Sequence, residues 1–483
     1  MGTYIHRFDS ASTFENTYYS DSYHEPWLGL TNEDAYVSYN KSIKEIMRET
    51  PLTFEILSTG TIVYSTPLQK VIEYSIDEGQ TWISTTEEDT GVTISVDAGD
   101  KVMFRGGNKA YATSSTSASS FQNSTASFNA CGNVMSLVTS AGFARETNLL
   151  SADTFNSLFK NCTGLTSAKN LILPATTLAQ GCYANMFSGC HSLTAAPELP
   201  ATTLTYACYQ NMFLSCISLT TSPELPATTL AGFCYNNMFR GCKLLKTVPE
   251  LPATTLSVSC YAYMFQGCTS LRTAQSILPA TTLEQRCYND MFASCTSLTS
   301  VPELPATILA SYCYDGMFSG CTSLTIAPEL PATTLANSCY SYMFLGCTSL
   351  TTAPELPATA LTDNCYDTMF RDCTSLTTAP ELPATTLGKT CYSAMFYGCT
   401  SLTTASELPA TTLANYCYRY MFEGCTNLNY IKCLATDISA SNCTSYWVDG
   451  VASTGTFIKN SSMSSWTTGQ NGIPSNWTVQ DAS

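Results

Sequence analysis

The sequence predicts a mixed α/β solenoid of about twelve 26-residue units with capped ends, preceded by a small antiparallel β-sandwich module and an extended N-terminal arm. Three observations predict it. The wording Cys-Tyr-x-x-Met-Phe-x-x-Cys-x-x-Leu occurs ten times between residues 182 and 425, followed by close versions of Thr-Thr-Ala-Pro-Glu-Leu-Pro-Ala-Thr-Thr-Leu. The opening cysteines, from Cys182 and Cys208 to Cys391 and Cys417, are 26 residues apart at every step but one, Cys260 to Cys287, which is 27. A fixed period in the range of ~20–50 residues marks units that stack because none can bury its own apolar face. Degenerate copies stand at both ends, Thr154-Phe155-x-x-Leu158-Phe159-x-x-Cys162 and Cys443-x-x-x-Trp447-Val448, as a capped array requires.

The elements follow in order. Residues 1–50 are polar and aromatic without a period, and read as an anchoring arm. Residues 51–108 read as a small β-sandwich module. Apolar and polar residues alternate in 52–56, 71–75, 92–96 and 101–105, with turn signals at Gly60, Gly79 and Gly99. Within it, Ser75-Ile76-Asp77-Glu78-Gly79-Gln80-Thr81-Trp82 resembles the Asp-box of sialidase propellers. A propeller would carry several copies, so this single one reads as a hairpin device. Residues 109–153, Ser/Thr-rich at first, read as linker and N-cap, 154–430 as the repeat array, and 431–483 as the C-terminal cap.

Composition narrows the class. Only 12% of the residues are charged and the net charge is −16, which excludes the basic footprint that nucleic-acid phosphates need. No apolar run reaches the length of a membrane span. Residues 1–8 lack the apolar core of a signal peptide, so a chain made in a cytoplasm and retained there, or released by lysis, is expected.

Twenty of the 24 cysteines form Cys-x7-Cys pairs. On a helix such partners sit ~12 Å apart, beyond the ~7 Å Cα separation a disulfide tolerates. Buried free thiols are the expected state, with bridges between units the alternative. No cofactor is called for, and zinc is disfavoured because short Cys-x2-Cys pairs are missing and the chain has three His.

Within a unit, Leu350, Ala353 and Leu356 are spaced for an extended segment, whereas Cys365, Met369, Phe370 and Cys373 recur as one face of a short helical turn. The run Leu-Pro-x-x-x-Leu…Met-Phe-x-Gly-Cys-x-x-Leu, seen in residues 331–350, resembles the BspA-like leucine-rich repeats of bacterial surface proteins. The resemblance covers roughly residues 154–430 and implies a leucine-rich-repeat array.

Internal copies show where the unit varies. Pro-Glu-Leu-Pro-Ala-Thr-Thr-Leu barely changes, while three slots around the Cys-x7-Cys segment change freely. These slots hold Phe233, Tyr312, Tyr397, Tyr416, Arg419 and Tyr420, residue types common at contact hot spots, and they are the candidate binding residues. A solvated face free to drift is the competing reading. On the constant side, Glu198, Glu224, Glu250, Glu303, Glu329, Glu355, Glu381 and Glu407 form an acidic column. Solvation explains it, and calcium or a basic partner is the alternative, so the metal question stays open. Adjacent Thr pairs argue against a flat ice-binding array, since neighbours in a strand face opposite ways.

Catalysis finds little support. His6, His24 and His191 are scattered, no phosphate loop occurs, and the Glu column offers nothing to separate an acid from a base. The arm, Glu25-Pro26-Trp27-Leu28-Gly29-Leu30-Thr31 with Val37-Ser38-Tyr39-Asn40-Lys41, is similar to N-terminal segments of virion proteins in phages of gut Bacteroidetes, and the Leu-Pro-Ala-Thr-Thr-Leu wording is similar to repeats from those phages. The resemblance implies a non-enzymatic virion appendage. Trp27, Tyr36 and Tyr39 would anchor it to other virion proteins, the array would meet a host-surface glycan or protein, and homo-oligomers are expected, without nucleic acid or membrane insertion. A bacterial surface adhesin is the alternative and a glycan-processing enzyme the remote one.

Overall fold

The computed structural model describes residues 42–463 and 466–482. The anchoring residues proposed from sequence, Trp27, Tyr36 and Tyr39, lie outside them. The described chain opens with helix α1 (Ile43–Glu49), whose start is fixed by a capping box between Ser42 and Glu45.

Ten strands follow before the repeats. They are β1 (Leu52–Ile56), β2 (Gly60–Ser65), β3 (Ile72–Ser75), β4 (Ile83–Ser84), β5 (Gly91–Val96), β6 (Lys101–Gly106), β7 (Ala112–Ser114), β8 (Ser117–Ala118), β9 (Ser120–Phe121) and β10 (Phe128–Asn133). With β11 (Leu165–Ile172), from the first unit, they form a six-stranded sheet of order β11-β10-β1-β6-β3-β4, a three-stranded sheet of order β5-β2-β9 and the two-stranded pair β7-β8. Phe54 of one sheet meets Phe121 of the other at 4.8 Å.

The segment 109–153, expected as linker and cap, differs from that expectation. Its strand β10 sits inside the large sheet, antiparallel to β1 and parallel to β11. Period-two burial in Phe128-Asn129-Ala130 is masked in the sequence by the Ser/Thr-rich residues just before it. The result is one sheet shared between the N-terminal module and the first unit. The Asp-box hairpin forms as expected: the Asp77 carboxylate accepts from the Thr81 N–H at 2.9 Å, Gly79 takes φ 89°, and the Trp82 indole donates to the Gly79 carbonyl.

From residue 154 onward the units stack in register. Tyr183 N–H donates to the Cys208 carbonyl, Tyr209 to Cys234 and Tyr235 to Cys260, each at 3.0–3.1 Å. Buried rings follow the same register, with Phe187, Phe213 and Phe239 stacked 5.4–5.5 Å apart within 3° of parallel. A second ladder, Tyr183 to Tyr418, runs beside it, and stacked aromatic pairs add about 0.5–1.5 kcal/mol each beyond burial. All 24 cysteines are free and buried.

The Cys-x7-Cys segment contains no helix, which corrects the mixed α/β expectation. Alternate N–H groups bond back three residues (Cys182 to Ala179, Ala184 to Gly181, Met186 to Tyr183), while those between them bond to the next unit. Each segment is therefore a chain of consecutive four-residue turns, a turn ribbon. It repeats every four residues and so brings Cys182, Met186 and Cys190 to the same side, as a helix would. The opposite side of the unit is extended but pairs only through isolated bridges such as Thr352 with Thr378 and Thr378 with Thr404. Proline explains this, since most units carry two in Pro-Glu-Leu-Pro and neither offers an N–H to a ladder.

The 27-residue unit absorbs its extra residue by replacing the first of these prolines. The Gln275 side chain accepts from the Leu251 N–H at 2.9 Å and donates to the Ile277 carbonyl at 2.7 Å, filling the bulge. At the far end, β12 (Tyr430–Cys433), β13 (Thr456–Lys459) and β14 (Thr478–Asp481) form a parallel sheet. Trp447 ends the ring ladder, stacked on Tyr418 and Trp466.

Candidate functional site

The turn ribbon dictates which side chains it shows. In each four-residue turn one residue adopts a left-handed conformation, giving three per unit, for example Phe233, Asn237 and Gly241 at φ 59°, 55° and 73°. The pattern recurs from Asp153, Ser157 and Asn161 to Asn442, Tyr446 and Gly450. Two of the variable slots contain these left-handed positions. Glycine, asparagine and aspartate suit them; a bulky side chain there is held against a backbone preference of about 1–2 kcal/mol. Phe233, Tyr263, Tyr312, Tyr342, Tyr416, Tyr420 and Tyr446 all sit at such positions.

The structure divides the six candidate residues among three places. Phe233 packs on Tyr206 at 5.6 Å, and Tyr312 lies under the Arg286 guanidinium at 4.8 Å. The other four fall toward the C-terminal end. Arg371 covers Tyr397 at 4.3 Å, and Arg419 lies 5.7 Å from the Tyr416 ring and 4.4 Å from that of Tyr420. Arg419 also donates to the Tyr420 hydroxyl at 2.7 Å. Tyr206, Arg286 and Lys389 stand in the same variable slots by sequence but were not among the candidates, and Tyr263, Tyr342 and Tyr446 were missed. Tabulating each slot across all copies was the signal that could have found them.

Mid-stack, the ribbon carries carboxylates beside its arginines. The Asn289 amide donates to Asp290 at 3.0 Å and to Asp315 at 3.1 Å. Burial, then the neighbouring Asp290 charge, pushes Asp315 up to about 7, with Arg286 opposing. Burial likewise pushes Asp367 up to about 6 and raises Asp290. The Glu column on the other side of the unit is exposed throughout, tied down by Lys44 at Glu198 and by Lys432 at Glu407, the latter at 2.8 Å. Among the described residues no three His, Cys, Asp or Glu side chains converge as a metal centre would require. Both members of the adjacent Thr pairs, such as Thr202 and Thr203, are exposed, contrary to strand alternation, because this stretch is not a continuous strand.

The stacked 26-residue units define a repeat protein. The sequence matches the BspA type leucine rich repeat region over residues 146–272, 232–377 and 342–446, more than half of the chain together, and the protein belongs to that family. Among solved structures it is similar to a leucine-rich repeat protein from Bacteroides ovatus ATCC 8483, with 16% identity, a TM-score of 0.39, and coverage of 68% of this chain and 86% of that one. It is also similar to the TLR13–ssRNA13 complex, with 12% identity and a TM-score of 0.25. That match covers 63% of this chain and 48% of that one, about half its length. No curated protein matches the chain by sequence.

Proposed function

We propose that this chain is a non-enzymatic adhesion protein of a phage particle. In this reading the stacked units are a leucine-rich-repeat solenoid of about twelve turns, and its turn ribbon meets a host-surface glycan or protein. The observation that carries the reading is the set of aromatic and arginine side chains displayed at backbone positions that favour glycine or asparagine. Such residues lower stability where they stand, and contact hot spots are rich in those types. The shared sheet β11-β10-β1 joins the module to the stack, so the array can be presented as a stiff body. The resemblance of the arm to phage virion proteins supports attachment through residues 1–41. Many weak contacts on one particle would then act together through effective concentration.

Two experiments test this. Removing residues 1–41 is expected to eliminate the protein from purified particles; truncated protein that still copurifies sinks the anchoring role. Isolated protein is expected to bind host cells, and equal binding by a variant changed at Phe233, Tyr312 and Tyr416 sinks the adhesive ribbon. Membership of a repeat family named for BspA favours a second reading, a bacterial surface adhesin, which recovery in cell envelopes rather than in particles would establish.

A further inference from the structure

The C-terminal end of the ribbon gathers donors at its centre, with the carboxylates of Asp363, Glu423 and Asp449 around them. Lys389 lies 5.8 Å from the Tyr416 ring and Arg419 sits between Tyr416 and Tyr420, and neither cation has a carboxylate partner among the described residues. The Tyr420 oxygen already accepts from Arg419, which leaves its own hydroxyl hydrogen to point outward. The Asn442 and Ser441 side chains, with the Lys389 and Arg419 cations, hold the Tyr416 hydroxyl below its ordinary pKa. Two cations and two phenols on one half-exposed patch, in a chain of net charge −16, are the chemistry of anion recognition.

The surroundings choose among anions. Tyr446 lies 5.7 Å from Tyr420, so a row of two rings runs on by one unit, while Tyr397, under Arg371, stands at a different slot of the preceding unit. A linear polymer of flat-faced rings can use such a row, one ring per step. An acidic peptide has less to hold, because the local backbone N–H groups are spent. Those of Tyr416, Tyr418 and Tyr420 bond to the next unit and that of Arg419 bonds back to Tyr416. The ribbon here contains no strand, so it offers no strand edge for a peptide to extend.

Resting on the adhesive reading above, we propose that Lys389, Tyr416, Arg419, Tyr420 and Tyr446 bind an acidic polysaccharide, its carboxylate or sulfate on the Lys389 and Arg419 cations and its sugar rings on the tyrosines. Asp363, Glu423 and Asp449 flank the patch and limit it to anions that reach the centre. The Asp363 carboxylate is occupied by the Lys389 backbone N–H at 2.8 Å.

Affinity electrophoresis of the full chain in polygalacturonate, dextran sulfate, neutral dextran and poly-glutamate tests this. Retardation by polygalacturonate or dextran sulfate is expected, the two polymers separating carboxylate from sulfate. It should weaken at least about tenfold in Arg419→Gln, since one charge-assisted hydrogen bond is at stake, and several-fold in Tyr420→Phe. No retardation by either acidic polysaccharide, or equal retardation of Arg419→Gln, overturns the proposal, as does retardation by poly-glutamate of the same strength. Host-cell binding separates this result from the general reading: cell binding retained without polysaccharide affinity removes this site and leaves adhesion standing, whereas loss of both removes both.

Discussion

A tyrosine in a left-handed turn and a glycine at the equivalent turn one unit away obey the same backbone geometry, and only the tyrosine strains it. Thr390 is a β-branched residue at φ 61°, and Gly346 meets the same demand at φ 69° without cost. Thr390→Asn is expected to stabilise the protein by about 1 kcal/mol, and Gly346→Ala to destabilise it by about as much. A methyl group at Gly346 would meet nothing closer than the Gly320 Cα at 4.0 Å, so the loss would be one of backbone conformation, not of space. Two melting temperatures that fail to move in opposite directions would refute the ribbon geometry. Asp315 makes a second test at this scale. Its folded-state pKa of about 7 stands above the ordinary carboxylate value, so between roughly pH 4 and 7 the folded chain holds a proton that the unfolded chain has released. Stability from this group is therefore full below about pH 4 and lost as the pH rises to about 7. Asp315→Asn should melt at a higher temperature than the parent at pH 8 and at the same temperature near pH 4; parallel curves at both values would exclude the raised pKa.

Within one unit, the difference between a helix and a turn ribbon was not legible. Cys365, Met369 and Cys373 recur every four residues, and across nine residues a period of four cannot be told from about 3.6. The deciding information lies in slots −1, +3 and +7 from the first cysteine, where Gly, Asn, Asp and Ser recur, as left-handed turns demand. Aromatic substitutions at those slots hid the rule. The cysteine columns were legible as small buried hydrophobes, but their second role was not. The thiol of Cys268 donates to the Phe239 carbonyl at 3.2 Å, and Cys216, Cys242 and Cys347 do the same to the carbonyls of Phe187, Phe213 and Phe318. Each thiol is a second donor to a carbonyl 29 residues earlier that already accepts a backbone N–H, as the Phe239 carbonyl does from Cys242 at 3.0 Å. Cys268→Ala would leave the Phe239 carbonyl with the Cys242 N–H alone and is expected to cost about 0.5–1.5 kcal/mol, read as a lowered denaturant midpoint. Cys268→Ser, which keeps a donor, should recover part of it. An alanine variant as stable as the parent would show that the thiol serves only as volume.

Across the whole described chain the core is continuous from Leu52 to Trp477, so the module, the stack and the cap share one interior. The repeat and its family resemblance made the middle of this body legible from sequence, because a period announces itself in every copy. The N-terminal junction was not legible, because β10 occurs once and is defined only by what it covers, whereas the degenerate copy at Trp447-Val448 pointed to the far end. The two ends differ in their solution. At the first unit, Phe159 packs under Phe54 and Phe121 of the sheet module. At the last, Trp447 is fully buried, stacks on Tyr418 and donates its indole N–H to the Gly472 carbonyl at 2.8 Å. Removing that ring would uncover the end of two aromatic ladders whose natural neighbour is another copy of the same unit. An exposed repeat end is a template for end-to-end association, as an open strand edge is. Trp447→Ala is therefore expected to cost about 3–5 kcal/mol of local stability and to produce linear oligomers, visible by light scattering and growing with concentration. A variant that loses stability yet scatters like the parent would show that the segment beyond Trp447 (Phe457 and Trp477 among its buried residues) seals the stack without it.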